Sequence, residues 1–265
     1  MYPIVVQIAV QGLLWLWLFL IAIQCTSAWV GIRLGRRLAT DAPPRAEATG
    51  LVTGGILALT AFVLALTLSF STSRMSERRN GALEEANAIG TAWLQASALN
   101  APEAARIAAL LENYAATRLS FAEADFGAPE LVTLTDDTDR LQSQIWSEVT
   151  GLLAVRTYPH SVSLMNAVNH VFDMTTSERL SLASGLPRRL VELLVAMVCV
   201  SAALAGFQLG LKRQKAPLLI AILFTVWSAV IIVVLDFGAA RVGSFRTVTE
   251  PYVWTIGGFN QVQAP

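Results

Sequence analysis

The side chains best suited to chemistry are few in this 265-residue chain, and their spacing matches no known catalytic arrangement. His160 and His170 are the two histidines, and a lone histidine in a helix is more often a surface or structural residue than a base. Cys25 and Cys199 both fall inside apolar stretches, where a thiol behaves as a small apolar group; two such residues build neither a disulfide framework nor a zinc site. Carboxylates pair at Glu84–Glu85 and at Asp136–Asp137, the latter beside Asp139 in what reads as a solvated helix start. The chain has no glycine-rich phosphate loop, no His-Glu-x-x-His and no Gly-x-Ser-x-Gly. The sequence therefore predicts no enzyme, no catalytic residue, no cofactor and no metal site.

A different pattern is periodic. Thr53, Thr60, Thr67 and Arg74 recur every seven residues, nearly two helical turns, so they share one face, with Ser71 and Arg78 at its lower end. Such a polar stripe fits the lining of a water-filled path, Arg74 and Arg78 setting an anion preference at its mouth. The competing reading is packing: threonine in a membrane helix bonds back to its own i−4 carbonyl or across to a neighbour. Ala202, Gly206 and Gly210 form a small-xxx-small face that admits another helix closely, either in the same chain or in another subunit. Asp236, at the end of an apolar stretch, is costly unless it finds a cation or an interface, and Arg74 or Arg78 is the simplest partner.

These residues are positioned by four apolar stretches, Leu13–Ile32, Leu51–Phe70, Leu190–Leu211 and Ala216–Leu235, each close to the ~20 residues a helix needs to cross a bilayer. No water reaches backbone amides in lipid, so each must be helical. With 54% hydrophobic and 14% charged residues the composition is that of a membrane protein. Lys+Arg and Asp+Glu balance at 19 each, which leaves no basic field for nucleic acid. The first stretch is expected to be a retained span: no basic residue precedes it, and Arg33, Arg36 and Arg37 follow. Short-loop charge places both hairpin loops in the cytoplasm, but arginines near the opposite span ends nearly cancel this, so charge leaves the orientation open.

The fold class expected is all-α: a polytopic membrane protein with four transmembrane helices and a helical extramembrane domain between helices two and three. The boundaries read as a hairpin over 1–72, a helical domain over 73–187 continuous with the second span, a second hairpin over 188–237, and an irregular tail over 238–265. Residues 33–49 read as a loop with the second span beginning at Gly50; Asn100 reads as an N-cap ahead of Pro102; further helices are expected over about 135–155 and 161–183. Tyr252 and Trp254 read as irregular packing or as membrane-interface aromatics.

The run Leu83-Glu84-Glu85-Ala86-Asn87-Ala88-Ile89-Gly90-Thr91-Ala92, after a Ser-Phe-Ser exit and Arg74, resembles the motif of a large, mostly bacterial family of membrane proteins with a bestrophin-like domain. Asn166-Ala167, Asp173 and Arg179, the Leu186-Pro187-Arg188 segment, and Asp236 with Arg241 and Gly243 are similar to later landmarks of that family, so the resemblance covers most of the chain. Many members carry Asp-Leu-Asp-Arg-Pro after the last span; this chain reads Asp236-Phe237-Gly238-Ala239-Ala240, and roles of the second acid or of Arg-Pro do not carry over. A structural role is expected for Glu84, Glu85, Asn87, Gly90, Asp236, Arg241 and Gly243: just outside the bilayer the Glu84–Asn87 block can receive hydrogen bonds and ion pairs from arginines of neighbouring helices, and Gly90 lets another helix come close. The resemblance implies distant similarity to bestrophins, pentameric channels that pass chloride or, in bacterial cases, cations, with the second membrane helix lining the pore. The expectation is thus a bestrophin-like homo-oligomeric ion channel of the bacterial cytoplasmic membrane, its partners being the lipid bilayer, inorganic ions and further copies of itself. The alternative is a non-conducting sensor or scaffold whose helical domain binds a partner.

Overall fold

The computed structural model describes residues 12–39, 43–124, 128–155, 159–183, 185–214, 216–238 and 248–262. Among these there are eight α-helices and no strand: α1 (Leu13–Leu38), α2 (Pro43–Ser97), α3 (Pro102–Glu123), α4 (Glu130–Val155), α5 (Pro159–Ala183), α6 (Arg188–Leu211), α7 (Pro217–Gly238) and α8 (Glu250–Val262). Four of them, α1, α2, α6 and α7, are long and apolar enough to cross a membrane. Large apolar side chains on them face outward, Trp15, Leu51, Phe62 and Leu218 among them. That surface would aggregate in water and matches the hydrocarbon of a bilayer.

The chain forms two compact units, Met1–Arg74 with Gly185–Phe245 and Met75–Ser184 with Arg246–Pro265. In the first, α1 and α6 run parallel with their backbones in contact. A Cβ on Gly31 would sit 2.0 Å from the Ala203 carbonyl oxygen, and one on Gly206 would sit 2.2 Å from that of Ala28. Gly35 and Gly210 repeat the pattern against Phe207 and Ile32. The small face of Ala202, Gly206 and Gly210 is therefore filled by the first apolar helix of the same chain. Leu16, Leu20, Leu64, Leu194, Val198, Trp227 and Ile231 pack the rest of this unit.

In the second unit, the end of α2 and helices α3, α4, α5 and α8 enclose one core. Ile89, Trp93, Ile107, Leu111, Ile145, Val149, Leu152, Leu164 and Val168 lie in it at 3–4 spacing on each helix.

Three local expectations are corrected. The loop over 33–49 is short, because α1 runs to Leu38 and α2 starts at Pro43, a residue tolerated where a helix begins. The residue capping α3 is Ala101, without a side-chain cap bond, rather than Asn100. Within the C-terminal segment the described residues are helical: α8 begins with Glu250 and Pro251 in its first turn and buries Tyr252 and Phe259. Gly257 and Gly258 cost this helix roughly 1 kcal/mol each, an amount the burial of those aromatics offsets.

Candidate functional site

The most concentrated polar feature of the second unit is a buried charge network. Glu85 is fully buried on α2, Arg118 is buried on α3, and Glu178 and Thr175 are buried on α5. Each lies on the core side of its helix, within one or two turns of apolar core residues, so folding carries these groups inward with their neighbours. Arg118 donates from Nε to Glu85 Oε1 at 2.8 Å and from Nη2 to Glu85 Oε2 at 3.2 Å, a bidentate fork. Its Nη2 also meets Glu178 Oε2, so two carboxylates converge on one guanidinium. The Phe121 ring lies 4.6 Å from the same group.

Hydroxyls complete the coordination of Glu85. Thr175 donates to Oε1 at 2.7 Å, and Tyr252 of α8 donates to Oε2. Tyr114 bonds Thr175 at 2.6 Å and accepts from Gln142 Nε2 at 3.0 Å, which sets a one-way order from Gln142 through Tyr114 and Thr175 to the carboxylate. Among the described residues Arg118 Nη1 and Glu178 Oε1 have no hydrogen-bond partner. Four helices and α8 are thus tied through one carboxylate.

The electrostatics follow from burial. It is the largest single influence on the guanidinium and works against its charge, but the Glu85 carboxylate, its hydrogen bond and the Tyr252 and Tyr114 phenols together outweigh it, and the Arg118 pKa stands above its ordinary value. Burial, reinforced by the negative charge of Glu85, pushes the Tyr114 phenol up to about 12 and the Tyr252 phenol further in the same direction. An unfolded tyrosine ionises near 10, so the unfolded chain loses these protons first as pH rises. The tyrosine contribution to stability is complete below pH 10 and is lost as pH climbs through 10 to 12 and beyond. Of the four tyrosines, two should therefore titrate late by tyrosinate absorbance, in step with alkaline unfolding. Tyr114→Phe and Tyr252→Phe should each remove one late titration; ionisation of both near pH 10 in folded protein would refute the burial assignment.

Chemically this is a clamp. It has no accessible nucleophile, and among the described residues no group of three or more His, Cys, Asp or Glu side chains could hold a metal ion. Glu85 was visible in sequence as part of the Glu-Glu-Ala-Asn block, but Arg118, Glu178, Tyr114, Thr175 and Tyr252 carried no motif. Their signal was an Arg, a Glu and two Tyr at core positions of amphipathic helices. Glu84 and Asn87 are exposed and line, with His170 and Met174, a shallow groove of about 300 Å³. A Cβ on Gly90 would stand 3.5 Å from Thr255 Cγ2 of α8, ordinary contact distance. Asp236 and Arg78 are buried, whereas Arg241 and Gly243 lie outside the described residues.

Thr53, Thr60, Thr67 and Ser71 are all buried within their own chain. Thr60 donates to the Ile56 carbonyl at 2.8 Å and pairs with Ser201 of α6 at 2.8 Å; Thr67 donates to Val63 at 2.7 Å. Side chains enclosed by α2's own partners are not free to line a path between copies. The outward side of α2 carries Leu59, Phe62, Leu66 and Phe70 instead, exposed by 38–60%. Beside this large apolar row runs a row of small exposed residues, Gly54, Ala58, Ala61, Ala65 and Ser69. The Arg74 guanidinium lies over the Phe70 ring, 5.1 Å from its centroid, at the end of the large row.

No family model matches the sequence, and no curated protein matches it. Solved structures do match. A bacterial bestrophin homolog from Klebsiella pneumoniae is 18% identical, superposes with a TM-score of 0.58, and is matched over 93% of this chain and 99% of its own. One variant structure of that homolog gives a TM-score of 0.62 at 14% identity over 96% and 99% of the two chains, and another gives 0.56 at 18% over 90% and 98%. The likeness covers the membrane helices and the middle helices alike, and the chain therefore has the all-α fold of the bacterial bestrophin homologs.

Proposed function

We propose that the chain is a subunit of a homo-oligomeric ion pore of the bacterial cytoplasmic membrane, crossing it four times, and that α2 lines the path with its large apolar row rather than with its threonines. The observation that carries this reading is the outward row Leu59, Phe62, Leu66 and Phe70 with Arg74 at its end. An apolar constriction of this kind gates by dewetting, and a guanidinium at its mouth favours anions. The neighbouring small row supports assembly, because small residues let an element of the adjacent copy approach α2 closely beside the path, and a contact between unlike faces forms a ring when its rotation closes. A channel subunit of this design needs no catalytic residue, and the buried network serves to hold the middle helices on the end of α2.

Substitution separates the two faces of α2. Phe62→Ala with Leu66→Ala should widen the constriction and raise conductance several-fold, whereas Thr60→Leu should change stability and leave conductance unaltered. Arg74→Glu should move selectivity toward cations. Single-channel recording after reconstitution reads all three. Conductance that follows Thr60 and ignores Phe62 and Leu66 would return the path to the threonine side.

A further inference from the structure

At one end of the first unit stand Arg33, Arg36, Arg37, Lys212 and Arg213, all exposed. They are far apart in sequence and are gathered by the α1–α6 crossing. A Cβ on Gly35 would meet the Phe207 oxygen at 2.3 Å and the Leu211 nitrogen at 3.0 Å, and one on Gly210 would meet the Ile32 oxygen at 2.5 Å and the Arg36 nitrogen at 3.1 Å. The two helices therefore finish side by side. Among the described residues none of the five side chains has a carboxylate partner. Arg33 instead lies over the exposed Trp29 ring, 3.9 Å from its centroid.

The local backbone points the same way. The end of α6 closes with Arg213 N–H on the Gly210 carbonyl and Gln214 N–H on the Leu209 carbonyl, the arrangement in which glycine usually takes the left-handed position. Here Arg213 takes it, with φ 51°, a conformation that disfavours a side chain. Complementing the helix dipole accounts for Arg36 and Arg37 in the last turn of α1, and it does not call for an arginine in that strained position.

Cations placed just past the last apolar turn of two membrane-crossing helices stand at the depth of lipid headgroups, and an aromatic ring beside them is a typical anchor at that depth. Guanidinium groups match the oxygens of a phosphodiester two at a time. We propose that this end of the α1–α6 pair is a binding site for anionic phospholipid, with the lipid phosphate received by Arg33, Arg36, Arg37, Lys212 and Arg213. The apolar sides of α1 and α6 take the acyl chains.

Full-length protein, delipidated in uncharged detergent and titrated with phosphatidylglycerol or phosphatidylcholine under native mass spectrometry, tests the assignment. Phosphatidylglycerol should bind at least about tenfold more tightly at low salt, with the preference shrinking as salt rises. Replacing all five basic residues by Gln should abolish the preference, while Arg140→Gln with Arg179→Gln in the second unit should leave it intact. Arg213→Gly should hold or raise the melting temperature and still weaken phosphatidylglycerol, which a purely structural role would not do. Equal binding of the two lipids, a preference that survives the five-fold variant, or soluble glycerol phosphate competing as well as the lipid would each overturn the proposal.

Discussion

Arg118→Met should be the most damaging single change in the second unit. It removes the one guanidinium shared by Glu85 and Glu178 and leaves two carboxylates in a core that excludes water. Breaking a buried pair by deleting one partner costs about 3–5 kcal/mol, a large part of the total stability of a domain. The exposed pair of Arg106 with Glu148 at 2.9 Å provides the contrast: Arg106→Ala should cost about 0–1 kcal/mol, since water screens it. Neutralising the acids as well, with Glu85→Gln and Glu178→Gln, should recover part of the loss, because uncompensated charge and not lost volume is the main penalty. Melting curves in detergent read all of these. Arg118→Met melting within a degree or two of wild type would mean that the network does not hold the helices together.

A comparable loss is expected in the first unit from Gly206→Val. The added Cβ alone would lie 2.2 Å from the Ala28 carbonyl oxygen, far inside contact distance, and a backbone atom has no rotamer through which to withdraw. Either α1 and α6 separate or the helices shift along their whole crossing, so the variant should fail to yield a single well-folded species by size-exclusion chromatography. Gly81→Ala is the matched control. Among the described residues no atom outside the local backbone lies within 4 Å of a Cβ there, and alanine exceeds glycine in helix propensity by about 1 kcal/mol, so this change should leave the melting temperature unaltered or raise it. A monodisperse, thermally normal Gly206→Val protein would contradict the backbone contact.

The difference between what the sequence disclosed and what it hid has a physical basis. Helices long and apolar enough to cross a membrane are legible because crossing imposes length and apolarity on a whole span, and α1, α2, α6 and α7 have both. The middle helices are legible from their 3–4 spacing, as with Leu141, Ile145, Val149 and Leu152 on α4. Periodicity names a face without naming what the face meets. The seven-residue recurrence marks the threonines as one side of α2, yet whether that side faces water or α6 depends on a partner some 140 residues away, the pairing of Thr60 with Ser201. Arg118 and Glu178 were hidden for the same reason, since each is an ordinary charged residue until the chain brings Glu85 to it. The helix α8 was obscured by Gly257 and Gly258, whose low propensity is outweighed by tertiary burial of Tyr252 and Phe259.

The pore reading itself stands or falls on conduction. Purified full-length protein, verified as a single oligomeric species and reconstituted in planar bilayers, should carry current across a gradient of simple salts. That current should be raised by Phe62→Ala with Leu66→Ala and be indifferent to Thr60→Leu. No current at any salt or voltage from correctly assembled wild-type protein would contradict it and leave four membrane helices that serve to anchor the second unit.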